Sequence, residues 1–526
     1  MMPSIFNDVI GPVMRGPSSS HTAASHRIGE IIRQVCPPGK GKVLVEFDRK
    51  GSLATTYEGQ GSAMGLICGL IGVSILDPSI VRYKELAIEH GLNIEFLITD
   101  FEACHPNTYK ISIKKHGQDL FQFIAVSTGG GMIEITNING FRVSIKGDYF
   151  ENFICFNSRL ANKVEDILQK VKEGVSHSKI ILIRSGDSSS LINIKSREPL
   201  LPKIYELIDE IEDVKWNCQS DPVMPILAGI DNKLPFTAIN DLLNLYGDKN
   251  IDLADLAVLY ESTLAGISSH GTLSLMREIV LIIRTSINEG LKESEYKDRI
   301  LGHQSHLIRT AENNNKIIGK TLNTIIAYVT ALMESKSSMG IIVAAPTAGS
   351  AGVLGGAVFG LSEAYPEDLE SIVKAFMAAG LIGVFIADKY TFAAERGGCQ
   401  VECGAASCMT AAALVQLMGG TARQAINASS MALQNMLGLV CDPVADRVEV
   451  PCLGKNILAA INAWSCANMS IAGYDHVIPL DEVIDAMKSV GDSLPCSLCC
   501  TGLGGLSLTP TSIRLHEELE KNNRKD

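Results

Sequence analysis

The sequence predicts an α+β protein in three parts, and three observations predict it. Short β-rich runs such as KVLVEF, NIEFLIT and YKISIKK alternate with helical stretches up to about residue 147. The next segment, to about residue 222, reads strand, helix, strand, strand, helix, strand. From about 235 to 515 apolar residues recur almost throughout at 3.6-residue spacing, as in DLADLAVLYESTLAGI, LNTIIAYVTALMES and MTAAALVQLMGG. Domain boundaries follow: an α+β domain over 1–147, a ferredoxin-like βαββαβ domain over 148–222, and an all-α domain over 223–526.

At 526 residues the chain exceeds what a single compact core sustains. Its 46% hydrophobic and 20% charged content is that of a globular protein. Aromatic residues are only 6%, so Ala, Gly, Leu, Ile and Val must build the interior, which suits close-packed helices. In the middle segment, NFICF is a strand. Leu160, Val164, Ile167, Leu168 and Val171 then make one apolar helical face. KIILIR and LINIK flank the turn SGDSSS as a hairpin, Leu201, Ile204, Leu207, Ile208 and Ile211 mark a second amphipathic helix, and VKWN closes the set. ACT regulatory domains share this order. The prolines of SDPVMPI, Ser220 to Ile226, read as a linker to the helical part.

A net charge of −12 without a Lys/Arg cluster excludes a nucleic-acid surface. The start MMPSIFNDVI lacks the pattern of a secretory signal, and the 13-residue apolar run AFMAAGLIGVFIA, Ala375 to Ala387, is shorter than the roughly 18 to 20 residues that cross a bilayer. The expectation is a cytoplasmic protein with a buried core helix there and no membrane contact.

Fourteen cysteines in such a chain are not a disulfide framework. Any one of them is ordinary core filler. Cys399, Cys403, Cys408, Cys441, Cys452, Cys496, Cys499 and Cys500 nevertheless crowd one stretch, and a metal or iron–sulfur site explains the crowding. Cys399 follows two glycines, Cys441 precedes Asp-Pro and Cys452 follows Pro, so each thiol sits at a helix end or turn, free to project. Spacing alone leaves the ligand set open. Cys399/Cys403 and Cys496/Cys499 are closer pairs, and a site of Cys496, Cys499 and Cys500 would suit zinc.

The segments MGIIVAAPTAGSAGVLGG, GGCQVECGAAS, NMLGLVCDPVADRVEVPC and LGGLSLTPTS resemble the α part of the iron–sulfur-dependent bacterial L-serine dehydratases. GPSSSHTAASHRIG, GSLATTYEGQG, HPNTYKISI, STGGGMIEITNINGF and the ACT-like unit resemble the β part, so the two parts look fused here. The resemblance implies a [4Fe-4S] cluster on Cys399, Cys441 and Cys452, with one iron left open to act as a Lewis acid and no need for pyridoxal phosphate. It implies a small hydroxy or amino acid substrate, L-serine first, and a homodimer. It places Ser18, Ser19, Ser20, His21 and Thr22 at the active site, where hydroxyls and N–H groups at a helix start would hold a carboxylate. Gln60 and Asn107 join the substrate-binding set, and His21 and His105 are the catalytic candidates. Thr347 and Ser350, in AAPTAGSAG, form a second anion-binding loop or else a tight helix contact.

The chain also departs from the family. Relatives carry Gly-His-Gly-Thr-Asp where this chain has GQGSA, so an active-site histidine is Gln60 and an aspartate is Ala63. An Arg and a Glu are replaced by Cys499 and Cys500, and Glu395 and Arg396 stand where the family is small and neutral. Three outcomes are compatible with this: His105 or His21 serves as base with serine still the substrate; another hydroxy or amino acid is used, read by Arg396 or Glu395; or the protein is a non-catalytic amino-acid sensor that keeps its cluster.

Overall fold

The computed structural model describes residues 2–16, 18–39, 41–115, 118–157, 169, 179–185, 189–209, 214–229, 232–247 and 251–523. Contacts divide the chain into two compact units, one of Met1–Pro17 with Asn232–Asp526 and one of Ser18–Asp231. The division falls at 17/18 and 231/232, whereas composition places boundaries at 147/148 and 222/223. The first residues make a wide turn, Ile5–Val9, capped by the Ser4 hydroxyl, and then strand β1, Val13–Arg15.

The unit Ser18–Asp231 holds two sheets. One has the order β3-β2-β4-β5-β6-β7, with β2 Lys42–Asp48, β3 Asn93–Thr99, β4 Thr108–Lys115, β5 Gln118–Gly129, β6 Met132–Ile138 and β7 Phe141–Ile145. Only β2 and β3 are parallel, and the helices between them form the crossover. Alternation sets the buried face: Tyr109, Ile111 and Ile113 of β4 point into a core shared with Val43, Val45 and Phe47 of β2. The Ser19–Val35 helix adds Ala24, Ile28, Ile31 and Ile32 to that core. It runs backbone-to-backbone along the Ser62–Ile71 helix, because a Cβ on Gly69 would clash with His26 O and lie 2.9 Å from Glu30 N.

The second sheet comprises β8 Phe150–Asn157, β9 Lys179–Ser185, β10 Ser189–Ser196 and β11 Val214–Ser220, all antiparallel, in the order β11-β8-β10-β9. That is the 4-1-3-2 order of a ferredoxin-like layer. Central β8 is buried on both faces. Phe153 and Cys155 join the large core, while Ile154 and Phe156 pack with Ile204 and Ile208 of the Pro202–Asp209 helix. The helix expected over Leu160 to Val171 lies outside the described residues, as do the side chains of Leu207 and Ile211.

The other unit is helical apart from β1 and β12, Ile341–Val343, which pair antiparallel with each other. Small residues let its helices approach closely. A Cβ on Gly356 of the Ala351–Ala364 helix would stand 2.7 Å from Val329 N on the Lys320–Ser337 helix. The run Ala375 to Ala387 lies in a 21-residue helix, Leu369–Lys389, which is long and apolar enough by itself to cross a bilayer, contrary to the shorter count from composition. Within the protein 78% of its most apolar window is buried, as in a core helix.

Candidate metal centre

Three segments of the helical unit converge on a group of thiols. Gly398, at φ 70°, turns the chain into Cys399, which caps the turn Gln400–Gly404. A side chain on Gly398 would meet Leu439 O at 2.8 Å, so only glycine lets the Cys399 and Cys441 segments touch. Gln400 completes the join: its N–H donates to Leu439 O, its Oε1 accepts from Gly438 N at 2.9 Å, and its Nε2 donates to Met487 O. Cys441 is extended, with its N–H donating to Leu498 O and its carbonyl accepting from Cys500 N. Cys452 opens the Cys452–Ile471 helix.

The ligand atoms of Cys399, Glu402 and Cys441 all lie within 4.8 Å of one another. Hydrogen bonds with Cys399 and then Cys500, followed by burial, hold the Cys441 thiol well above the ordinary thiol range. Burial pushes Cys452 up to about 12, with Lys336 opposing and Cys399 reinforcing the rise. Glu402 is pushed up to about 7 by burial, against a hydrogen bond with Thr347. For Lys455, burial alone would pull the ammonium down, but the Cys399 and Asp442 charges carry it above the ordinary lysine value.

Thr347 and Ser350 cap each other at the start of the next helical segment. A Cβ on Gly349 of that loop would sit 2.9 Å from both Glu402 oxygens. The second anion-loop candidate is therefore built against the thiol site. Glu395 and Arg396 are exposed on the turn Ala394–Gly397 leading to Cys399.

All these cysteines are free thiols. Buried soft donors carried on three separate segments beside two lysines fit an iron–sulfur cluster. Cys496 is exposed, Cys499 is buried and Cys500 turns toward Cys441, and these three form no separate metal-holding group among the described residues.

The remaining residues singled out from sequence lie in the unit Ser18–Asp231. Ser18 stands at the N-cap position of the Ser19–Val35 helix without a side-chain capping bond, its Oγ sharing a 2.8 Å hydrogen bond with His21 Nδ1 instead. Ser20 is half-buried and Thr22 fully buried. Gly65 packs against Thr22 and Gly69 against His26, so the two helices run parallel and their N-termini, at Ser18–Ser19 and Gly61–Ser62, lie side by side. Two polar atoms there, Ser19 Oγ and Gln60 Oε1, are buried with no hydrogen-bond partner among the described residues. Paired helix N-termini with the unsatisfied Ser19 hydroxyl, a donor, make a site for a small anion, whereas Gln60 Oε1 only accepts and can meet only a donor such as an ammonium.

Ser52 donates its N–H to Pro106 O and its Oγ–H to Asn107 Oδ1. His105 Nδ1 accepts from Asn107 N at 3.1 Å, which puts the proton of the neutral ring on Nε2. Sequence reading missed Glu402 and Lys455. Each stands three residues after a cysteine singled out from the sequence, one helical turn on, and that spacing was the available signal.

Residues 204–507 match the family described as Serine dehydratase alpha chain. The chain belongs to that family. The L-serine dehydratase alpha chain of Peptoniphilus asaccharolyticus is 36% identical over 288 residues, 53% of this chain and 97% of that protein. The probable L-serine dehydratase alpha chain of Bacillus subtilis is 34% identical over 285 residues, 54% and 95% respectively. The probable L-serine dehydratase beta chain of Bacillus subtilis is 37% identical over 179 residues, 34% of this chain and 80% of that protein. Counterparts of both family chains thus occur in one polypeptide, and the protein is an enzyme of the serine dehydratase family.

Proposed function

We propose that the chain converts L-serine to pyruvate and ammonia, with a [4Fe-4S] cluster held by Cys399, Cys441 and Cys452 and without pyridoxal phosphate. The observation that carries this reading is the meeting of the buried Cys399 and Cys441 thiols with Glu402 in a serine dehydratase family member, Cys452 standing outside that group but close enough to interact electrostatically with Cys399. When bound, the cluster supplies Lewis-acid assistance to departure of the hydroxyl from the β-carbon. The protein's own groups do the rest. The cradle of Ser18, Ser19 and Ser20, with Gln60 acting through its amide N–H, holds a small carboxylate; the Thr22 hydroxyl is buried and donates to Ser18 O instead, and Asn107 is a further substrate-binding candidate. His21, hydrogen-bonded to Ser18, and His105, with its proton on Nε2, are the groups that hold or move a proton. Loss of the α-proton and of hydroxide as water leaves an enamine, which tautomerises to the imine and takes up water to release ammonia and pyruvate.

Protein purified without oxygen is expected to contain iron and sulfide, to absorb in the visible and to form pyruvate from L-serine. Cys441→Ser should lose both colour and turnover. Colour without turnover on serine, in a panel of small hydroxy and amino acids, would reject serine as substrate. Protein without iron would reject the cluster.

The replacement of the expected histidine by Gln60, together with exposed Glu395 and Arg396 beside the thiols, favours a second reading in which another small hydroxy or amino acid is used. The same panel decides it. The ferredoxin-like layer also carries a cavity of about 440 Å³ lined by Asn152, Tyr205, Asn217 and Gln219, which supports an ACT-type ligand module. Amino-acid-dependent thermal stabilisation that survives His105→Ala would support it, and no stabilisation by any amino acid would reject it.

A further inference from the structure

Lys455 is a buried charge, beside the thiols, that the proposed reaction leaves unused. It stands one turn after Cys452 on the helix which that cysteine begins, with 12% of its side chain exposed. Its Nζ donates to Val440 O at 2.6 Å and to Asp442 Oδ1 at 2.7 Å, the two neighbours of Cys441, and reaches Cys399 Sγ at 3.8 Å. An ammonium has three N–H bonds, and here each has one partner. Asp442 is itself anchored, since its Oδ2 accepts from Leu506 N at 3.0 Å. A single side chain, rooted beside the third cysteine, thus grips the segments of the other two.

We propose that Lys455 is the positioning residue of the thiol centre: it clasps the three cysteine segments in register and donates an N–H to the Cys399 sulfur. The proposal rests on the reading of these cysteines as metal ligands. Burying an ammonium is unfavourable unless it is paired, and gathered thiolates repel one another. Each cost is offset by the other where Lys455 sits. A donor to a ligating sulfur also stabilises the electron-rich state of the centre, so the same contact raises its reduction potential.

The test uses Lys455→Met and Lys455→Arg in the full chain. Metal-free protein is titrated anaerobically with Co²⁺, read by thiolate-to-cobalt charge-transfer absorbance. The reduction potential is measured on the iron-loaded protein. Lys455→Met is expected to bind Co²⁺ about 10–100-fold more weakly and to show a more negative potential, with part of both effects restored in Lys455→Arg. A Met variant matching wild type in Co²⁺ affinity and potential overturns the proposal while leaving the metal reading intact. Wild-type protein that gives no thiolate–cobalt band overturns both. Should Lys455→Met not fold, Asp442→Asn, which loosens the clasp without removing the ammonium, must weaken Co²⁺ in the same direction. An unchanged affinity there also overturns the proposal.

Discussion

Glu261 offers a test of the fold with a definite sign. Its carboxylate lies fully buried on the Leu253–Ala265 helix and accepts from Ser4 Oγ at 2.5 Å and Ile5 N at 2.8 Å, fastening the first residues of the chain. Tyr260 OH adds a bond to Pro3 O at 2.8 Å. Burial, against the bonds from Ser4 and Ile5 and with some help from Asp8, pushes Glu261 from an ordinary 4.5 up to about 7. Asp8 faces it from the turn Ile5–Val9, and Tyr260 and Asp388 are the other titratable groups close by.

Because the folded value is raised, this contribution to stability is complete below pH 4.5 and is lost as pH rises through 7. The step from 4.5 to about 7, at roughly 1.4 kcal/mol per pH unit, is worth about 3 kcal/mol, on the order of 100-fold in a local opening equilibrium. Hydrogen exchange of the amides between Ser4 and Ile10, corrected for intrinsic rates at pH 5 and pH 8, reads that equilibrium. Wild-type protein should open far more at pH 8, and Glu261→Gln should show a nearly flat profile at a constant offset. Equal pH slopes in the two proteins would refute the reasoning.

Other outcomes are equally specific. Ser19→Ala removes a buried hydroxyl that lacks a partner, so thermal stability should hold while KM for the substrate rises about 10–100-fold, the value of one hydrogen bond to a charged group. Gly69→Ala forces a methyl group against His26 O and should lower stability by about 1–3 kcal/mol or more in urea denaturation. Cys496→Ser, altering an exposed thiol outside the thiol group, should leave iron content unchanged, whereas Cys452→Ser should reduce it.

Local regularities made much of the architecture legible. The 3.6-residue recurrence in LNTIIAYVTALMES and MTAAALVQLMGG corresponds to the Lys320–Ser337 and Ala405–Leu417 helices, and the alternation in YKISIKK corresponds to β4. Both depend on which side of one element is buried, and residue type reports that directly. The attachment of Met1–Pro17 to the helical unit was not legible, because it depends on Glu261 and on a strand pairing with Ile341–Val343, both hundreds of residues away.

The site divides in the same way. Cys399, Cys441 and Cys452 came from a likeness of motifs, since their spacing left Cys403 and Cys496 as rivals. Glu402 lay inside the motif GGCQVECGAAS, three residues after Cys399, but its approach to Cys441 was not legible because it is created by the turn at Gly398 and the Gln400 bonds to Met487 and Gly438. The orphaned Ser19 Oγ and Gln60 Oε1 arise from two helices lying parallel, which their separate periodicities do not encode.

Ile5 and Val9 rest in notches of the Leu369–Lys389 helix where Gly380 and Gly383 carry no side chain. A ribosome adding about 5–20 residues per second needs roughly 20–75 s to travel from Val9 to Gly383. For that interval Ile5 and Val9 lack the notches they fill, so this contact of the helical unit closes only late in translation. Nascent chains stalled before Gly380 should therefore be cut readily by protease within this leading stretch, and chains released at full length should resist.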